Sequence, residues 1–167
     1  MEERMLRYIQ RREYLKPEDN LSRITKKPAR LIWGCHRTPA PFVTIAIPAD
    51  RRQALLKQAL DSALGQEGFE DYQILIVDDS PVGEGESSET EEMVREYGDE
   101  RLLYSRHEEN LGLMDNWNMC YYLSRSHWVC TLHDDDSLPP NFLAKLCAVV
   151  KRYPHMDALF NLDHQSP

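Results

Sequence analysis

The residues best suited to do chemistry in this chain are carboxylates that stand side by side, Asp78-Asp79-Ser80 and His133-Asp134-Asp135-Asp136. Two unit charges about 5 Å apart at an effective dielectric near 20 repel by about 3 kcal/mol, so a run of three acids is costly unless it is solvated or neutralised. A divalent cation neutralises such a run. Carboxylate oxygens suit Mg²⁺ or Mn²⁺, which commonly take one or two protein carboxylates and complete their shell with phosphate oxygens. The run His133 to Asp136 is therefore read as a place for a metal and a diphosphate, with a solvated acidic turn as the plain alternative. Asp78 and Asp79 are read as acceptors for the base or ribose of a nucleoside, with helix capping as the alternative.

Two further clusters belong with these. Pro48-Ala49-Asp50-Arg51-Arg52 offers two guanidinium groups that can meet phosphate or simply face water. Asn110-Leu111-Gly112 precedes a helical stretch containing Asn116, Trp117 and Asn118; a glycine there permits positive φ or close backbone approach, and a helix start favours an anion. The plain reading of that cluster is a turn and cap.

The elements that must position these groups follow from hydrophobic periodicity. Phe42 to Ile47 reads as a buried strand ended by Pro48, and Leu55, Leu56, Ala59, Leu60 and Ala63 recur at helical spacing. Tyr72 to Val77 is a second strand, followed by an acidic Gly/Ser loop and a helix over 88–97. Arg101 to Arg106 is a third, weaker strand. A helix over 113–124, a strand from His127 to Leu132, a helix over 140–153 and a last apolar run, Ala158 to Leu162, complete the pattern. Strand and helix alternate, which implies right-handed βαβ crossovers and an open, mainly parallel α/β sheet. In such sheets ligands bind at the carboxyl ends of the strands, and the three charged clusters fall at three such ends.

Composition limits the alternatives. The chain has 167 residues, 41% hydrophobic and 29% charged, which suits one layered domain. Residues 1–40 carry 10 basic and 5 acidic side chains, whereas 41–167 carry 10 and 23. That acidic body, without a basic stripe, argues against nucleic acid as a partner. Residues 1–16 read as a short helix and the Pro-rich stretch up to Pro41 as a linker-like arm, either wrapping the domain or touching a membrane surface or partner. The longest apolar run, Phe42 to Ile47, is far shorter than the roughly 20 residues of a spanning helix, and Met1 to Leu6 carries charge from the start. A cytoplasmic location is expected, with peripheral contact at the inner face of a membrane as the role open to the arm. Cys35, Cys120, Cys130 and Cys147 lack metal or redox spacing and read as reduced thiols. His36, His107, His127, His155 and His164, with Trp33 and Trp128, read as surface or packing residues, and the acidic stretch 83–100 as a solvated face.

Five segments in order, Val43 to Pro48, Leu55 to Leu64, Ile76-Val77-Asp78-Asp79-Ser80, Asn110-Leu111-Gly112 and Leu132 to Asp136, resemble the family 2 glycosyltransferases over about residues 42–153. The resemblance implies a GT-A fold, with a Rossmann-like half that holds a nucleotide-sugar with Mg²⁺ or Mn²⁺. It divides the chain into an N-terminal helix and arm (1–40) and a partial nucleotide-sugar-binding domain (41–167) without the C-terminal acceptor half. It places Pro48, Ala49, Asp50 and Asp79 around the nucleoside, joined in our reading by Asp78, Gly112 and Asn116. Counted back from Pro140, Asp135 matches the metal-binding carboxylate and Asp134 its partner near the ribose or sugar. The implied reaction is inverting transfer to an acceptor hydroxyl of a saccharide or glycoconjugate, with a general base beyond Pro167.

Two positions depart from the family's pattern. His133 stands where an Asp-x-Asp motif often has its first acid. Asp50 stands where the family often has a tyrosine that stacks on the base, a change expected to weaken nucleotide binding. The alternatives are a non-catalytic nucleotide- or partner-binding module and, less well matched, a receiver-type signalling domain, which Ile74 to Pro81 also resembles. A receiver needs its phosphoacceptor closer than Asp134, which lies 55 residues past Asp79.

Overall fold

The computed structural model describes residues 24–80 and 88–159. The expected helix over 1–16 lies outside them, as do most of the acidic Gly/Ser loop and the end of the last apolar run. Among the described residues five strands, β1 (Ala29–Trp33), β2 (Val43–Ala49), β3 (Tyr72–Asp78), β4 (Leu102–His107) and β5 (Trp128–Thr131), form one sheet in the order β1-β4-β3-β2-β5. Among the described residues four helices, α1 (Gln53–Leu64), α2 (Glu89–Tyr97), α3 (Leu113–Leu123) and α4 (Phe142–Arg152), connect or follow the strands. All pairings among β2 to β5 are parallel, and β1 runs antiparallel to β4.

Every residue of β2 and β3 is buried, the state expected of parallel strands covered on both faces. Their side chains alternate between two apolar layers. Ile45, Ile47, Ile74, Ile76 and Tyr104 pack with Leu56 and Leu60 of α1, Val94 of α2 and Leu143 of α4. Ala46, Leu75, Val77 and Leu103 pack on the other face with Met119 and Cys120 of α3. Leu55, expected in the helical stripe of α1, is exposed because it lies one residue off the buried set Leu56, Ala59, Leu60 and Ala63. The thiols of Cys120 and Cys147 are buried and Cys35 is exposed, all of them free.

Three features differ from the pattern read in the sequence. The arm is not plain linker, because Ala29–Trp33 adds an edge strand to the sheet. Ile32 and Trp33 pack on the core, and the Arg95 guanidinium lies 5.1 Å from the Trp33 ring centroid. Pro48 does not end β2. Ala46 O accepts from Leu132 N on the β5 side and Ala49 O accepts from Asp79 N on the β3 side, so even-numbered residues face β5. The β5 ladder stops at Thr131, opposite Ala46, and a proline two residues on forfeits no hydrogen bond. Finally, the acidic stretch is only partly a solvated face. Ser88 caps α2 by accepting from Glu91 N at 3.0 Å, and Glu91 is itself buried between Arg95 (2.8 Å) and Arg106 (3.2 Å).

Candidate functional site

After β2 the chain proceeds to β3 and β4 on one side, then returns to place β5 on the other side of β2. That reversal opens a crevice at the carboxyl ends of β2 and β5, where open α/β sheets bind ligands. A cleft of about 310 Å³ occupies it. Pro48, Ala49, Asp50 and Arg52 line it from the end of β2, Asp79 from β3, His133 and Asp134 from the loop after β5, and Leu113, Asn116 and Trp117 from the first turns of α3.

Asp78 and Asp79 are adjacent, and the alternation of a strand turns them to different surroundings. Asp78 is fully buried away from the cleft lining, with its carboxylate accepting from Tyr104 OH at 2.7 Å, Ser80 N at 2.9 Å and Ser88 Oγ at 3.3 Å. Burial, with the Asp78 charge beside it, pushes the Tyr104 phenol far above its ordinary range. The structure thus gives Asp78 a set of protein partners where the sequence suggested a ligand. Asp79 borders the cleft, yet its two oxygens accept the backbone N–H groups of Leu111 (2.6 Å) and Gly112 (2.8 Å), and its carbonyl accepts from Asn110 Nδ2 at 2.9 Å. Burial raises the Asp79 carboxyl above the usual range, with those two N–H groups opposing the shift.

Asp79 therefore ties the turn before α3 to the end of β3, and the anion at this turn is the protein's own carboxylate. Gly112 sits at φ 81° and ψ 163°, a region open almost only to glycine, although a Cβ would meet no atom within 4 Å. The position needs glycine for its dihedral angles, and Gly112 stands behind Asp79, outside the cleft lining.

Asn116 joins three strand ends. Its Nδ2 donates to Val77 O at 3.1 Å and Ala49 O at 3.4 Å, which leaves Oδ1 to accept from His107 Nε2 at 3.2 Å. The buried His107 Nδ1 and Trp117 Nε1 have no hydrogen-bond partner among the described residues. The Trp117 ring meets His133 edge-on, with centroids 4.6 Å apart.

The second acidic pair is held by a side chain. Arg52 donates from Nε to Asp134 Oδ2 at 3.0 Å, from a terminal nitrogen to Asp134 Oδ1, and from the other to Asp135 Oδ2 at 3.0 Å. Asp134 is buried, whereas Arg52 and Asp135 are each about half exposed. Burial pushes the Asp134 carboxyl upward; Arg52 opposes this and the neighbouring Asp135 reinforces it. Arg51, at φ 56°, turns the loop, and its N–H donates to Ser80 Oγ at 2.9 Å. Arg52 begins the first turn of α1, its carbonyl accepting from Leu55 N and Leu56 N. The sequence suggested phosphate or water for Arg52; its partner 82 residues away had no local signal.

No group of three or more His, Cys, Asp or Glu is arranged to hold a metal ion among the described residues. Asp134 and Asp135 nevertheless make a two-carboxylate set that already stabilises a positive group, the set a cation uses when a ligand's phosphates complete its shell. Of the residues singled out in the sequence, Pro48, Ala49, Asp50, Asp79, Asn116 and Asp134 come together at the cleft, and Asp135 joins them through Arg52. Trp117 was named beside Asn116 in the helix after the Asn-x-Gly turn but given no role, and Leu113 was not singled out. Their signal was the spacing of 113, 116 and 117, one face of the helix that starts at the Asn-x-Gly turn.

The fold and the cleft define an open α/β domain with a ligand crevice at its strand-order reversal. Residues 44–166 match the profile of glycosyl transferase family 2, and the chain belongs to that family. It is 33% identical over 130 residues to an uncharacterized protein of Mycobacterium tuberculosis, covering 78% of this chain and 36% of that one. The fold resembles that of TarS residues 1–349 of S. aureus, solved in complex with UDP-GlcNAc, with a TM-score of 0.58 and 19% identity over 67% of this chain and 32% of that one. It also resembles the mannosyltransferase PcManGT of Pyrobaculum calidifontis, solved with GDP-Man and Mn²⁺, with a TM-score of 0.50 and 22% identity over 71% and 34%. The chain spans between 21% and 41% of the length of the curated relatives it matches. Membership of this family sets aside the receiver-type alternative. No helix among the described residues is long and apolar enough to cross a membrane.

Proposed function

We propose that the cleft binds a nucleoside diphosphate-sugar and that this domain is the donor-binding part of a glycosyltransferase acting on an acceptor hydroxyl of a saccharide or glycoconjugate, with inversion at the anomeric carbon. The observation that carries the reading is the convergence of Pro48, Ala49, Asp50, Asp79 and Asp134 on one crevice at the strand-order reversal. The neighbours solved with UDP-GlcNAc and GDP-Man support the ligand class.

In this reading Pro48, Ala49 and Asp50 flank the nucleoside, while Asp79 and Asn116 hold α3 and the strand ends in register around it. Asp134 and Asp135 hold Mg²⁺ or Mn²⁺ against the diphosphate, where the cation supplies charge stabilisation for the departing nucleoside diphosphate. The cation in the mannosyltransferase complex supports that choice. Asp50 offers a carboxylate to the base or ribose where an aromatic would stack, favouring hydrogen bonding over stacking. A cytoplasmic location, with the arm at a membrane surface, completes the reading.

Calorimetric titration with UDP, GDP and dTDP and their sugar conjugates, in Mn²⁺ and then in chelator, tests it. Binding of one nucleotide that weakens in chelator is the expected result; binding of none overturns the assignment. Binding with no sugar transfer or hydrolysis in the complete protein favours the non-catalytic module instead.

A further inference from the structure

Asp134 is a buried carboxylate with both oxygens on one guanidinium, and Asp135 gives one oxygen to the same group. A divalent cation drawn to these oxygens meets Arg52 already there, and two positive groups within a few ångströms of each other repel. The two ends of Arg52 differ in freedom. Its backbone is fixed at the start of α1, whereas its side chain is half exposed and borders the cleft that would hold a diphosphate. A guanidinium fork fits phosphate oxygens as well as carboxylate oxygens.

Building on the donor reading above, we propose that Arg52 is the resident counter-cation of Asp134 and Asp135, exchanged for the metal when a nucleoside diphosphate enters, the guanidinium passing from the carboxylates to the diphosphate. A metal arriving alone drives Arg52 into water with no new anion to bind. A metal arriving with the diphosphate gives Arg52 an anion in return. Metal and nucleotide therefore bind weakly apart and tightly together, and linkage makes the effect reciprocal. Arg52 is a positioning residue in this scheme; it keeps the buried carboxylate compensated until the donor arrives and sets the order in which charges fill the site.

The test is Mn²⁺ titration of the chain, free metal being read from its electron paramagnetic resonance, without nucleotide and with saturating UDP or GDP. Wild type is compared with Arg52→Gln and Arg52→Lys. Wild type is expected to bind Mn²⁺ at least about tenfold more tightly with nucleotide than without, a coupling of ordinary allosteric size. Arg52→Gln frees the carboxylates, so Mn²⁺ alone binds about tenfold more tightly than to wild type and the enhancement by nucleotide falls below about threefold. Arg52→Lys keeps a charge on Asp134 without the fork and shifts both quantities in the same direction by less.

Mn²⁺ affinity that is unchanged or weaker in both variants, while wild type retains metal-dependent nucleotide binding, overturns the exchange and leaves the donor reading standing. If wild type binds neither nucleotide in Mn²⁺ or in chelator, the donor reading fails and the exchange falls with it.

Discussion

Two pairs of adjacent aspartates end two strands that flank β2, and the protein treats them in opposite ways. Asp78 and Asp79 are saturated by fixed partners, a phenol, one serine hydroxyl and three backbone N–H groups in all. Asp134 and Asp135 are held by a single long side chain whose other surface faces the cleft. Fixed partners make the first pair part of the framework. A movable partner makes the second pair exchangeable, and exchange is what a site that fills and empties requires. The same dipeptide at the same kind of strand end therefore says little until the partners are known.

The contrast is broken most directly at Asp78. Asp78→Ala leaves Tyr104 OH and Ser80 N–H without their acceptor in a fully buried setting, and a loss of about 3 kcal/mol of unfolding free energy is expected by urea titration. A change below about 1 kcal/mol would return Asp78 to the candidate ligands.

Asp79→Asn comes next. One of the two N–H groups of Leu111 and Gly112 then faces an amide donor, with about 2 kcal/mol lost. The sign of its pH dependence is fixed by the raised carboxyl. A group whose pKa is higher folded than unfolded stabilises the fold below its unfolded value, about 3.9, and that contribution is lost as pH rises through the folded value. The stability advantage of wild type over Asp79→Asn is therefore largest near pH 3 to 4 and shrinks as the pH rises through the folded value. An advantage that grows with pH would show that the two N–H groups outweigh burial.

How much of this was legible in the sequence differs between frame and site. β2, β3 and the helices declare themselves because strands buried on both faces must be continuously apolar and helices must repeat every three to four residues. β1 was hidden by the prolines around it and by its edge position, where Arg30 and Leu31 are exposed and Ala29, Ile32 and Trp33 pack on the core while only partly buried. Pro48 read as a strand end because no local rule reports that the β5 ladder stops at Thr131. The alternation that separates Asp78 from Asp79 was available from their adjacency at a strand end. The Arg52 to Asp134 pair was not, since it depends on how far β2 and β5 each extend and on the turn at Arg51.

The turn that Asp79 ties down gives a smaller effect. Gly112→Ala meets no atom but forces a Cβ into a dihedral region open almost only to glycine, and about 1 to 2 kcal/mol is expected by urea titration. The same variant is expected to raise amide exchange at Leu111 before it alters the sheet, because the strain sits where Asp79 accepts. Equal acceleration in β2 would mean that the turn and the strands unfold as one unit.

The smallest effect on stability, and the sharpest statement of the contrast, is expected at Asp135. Its carboxylate is half exposed and makes one hydrogen bond to a half-exposed arginine, an arrangement whose loss typically moves stability by less than about 0.5 kcal/mol. Arg52 keeps both of its bonds to Asp134 when Asp135 becomes asparagine, so the buried charge stays compensated and the fold has no reason to change. Metal-dependent nucleotide binding is another matter, because a cation shared with a diphosphate has at most two carboxylates here and the variant removes the more accessible one. Asp135→Asn is therefore expected to leave the urea midpoint in place while weakening nucleotide affinity in Mn²⁺ by at least about tenfold and leaving affinity in chelator unchanged. Loss of stability with affinity intact would invert the comparison, making the second aspartate pair framework like the first and leaving the cleft to bind its ligand through Arg52 alone.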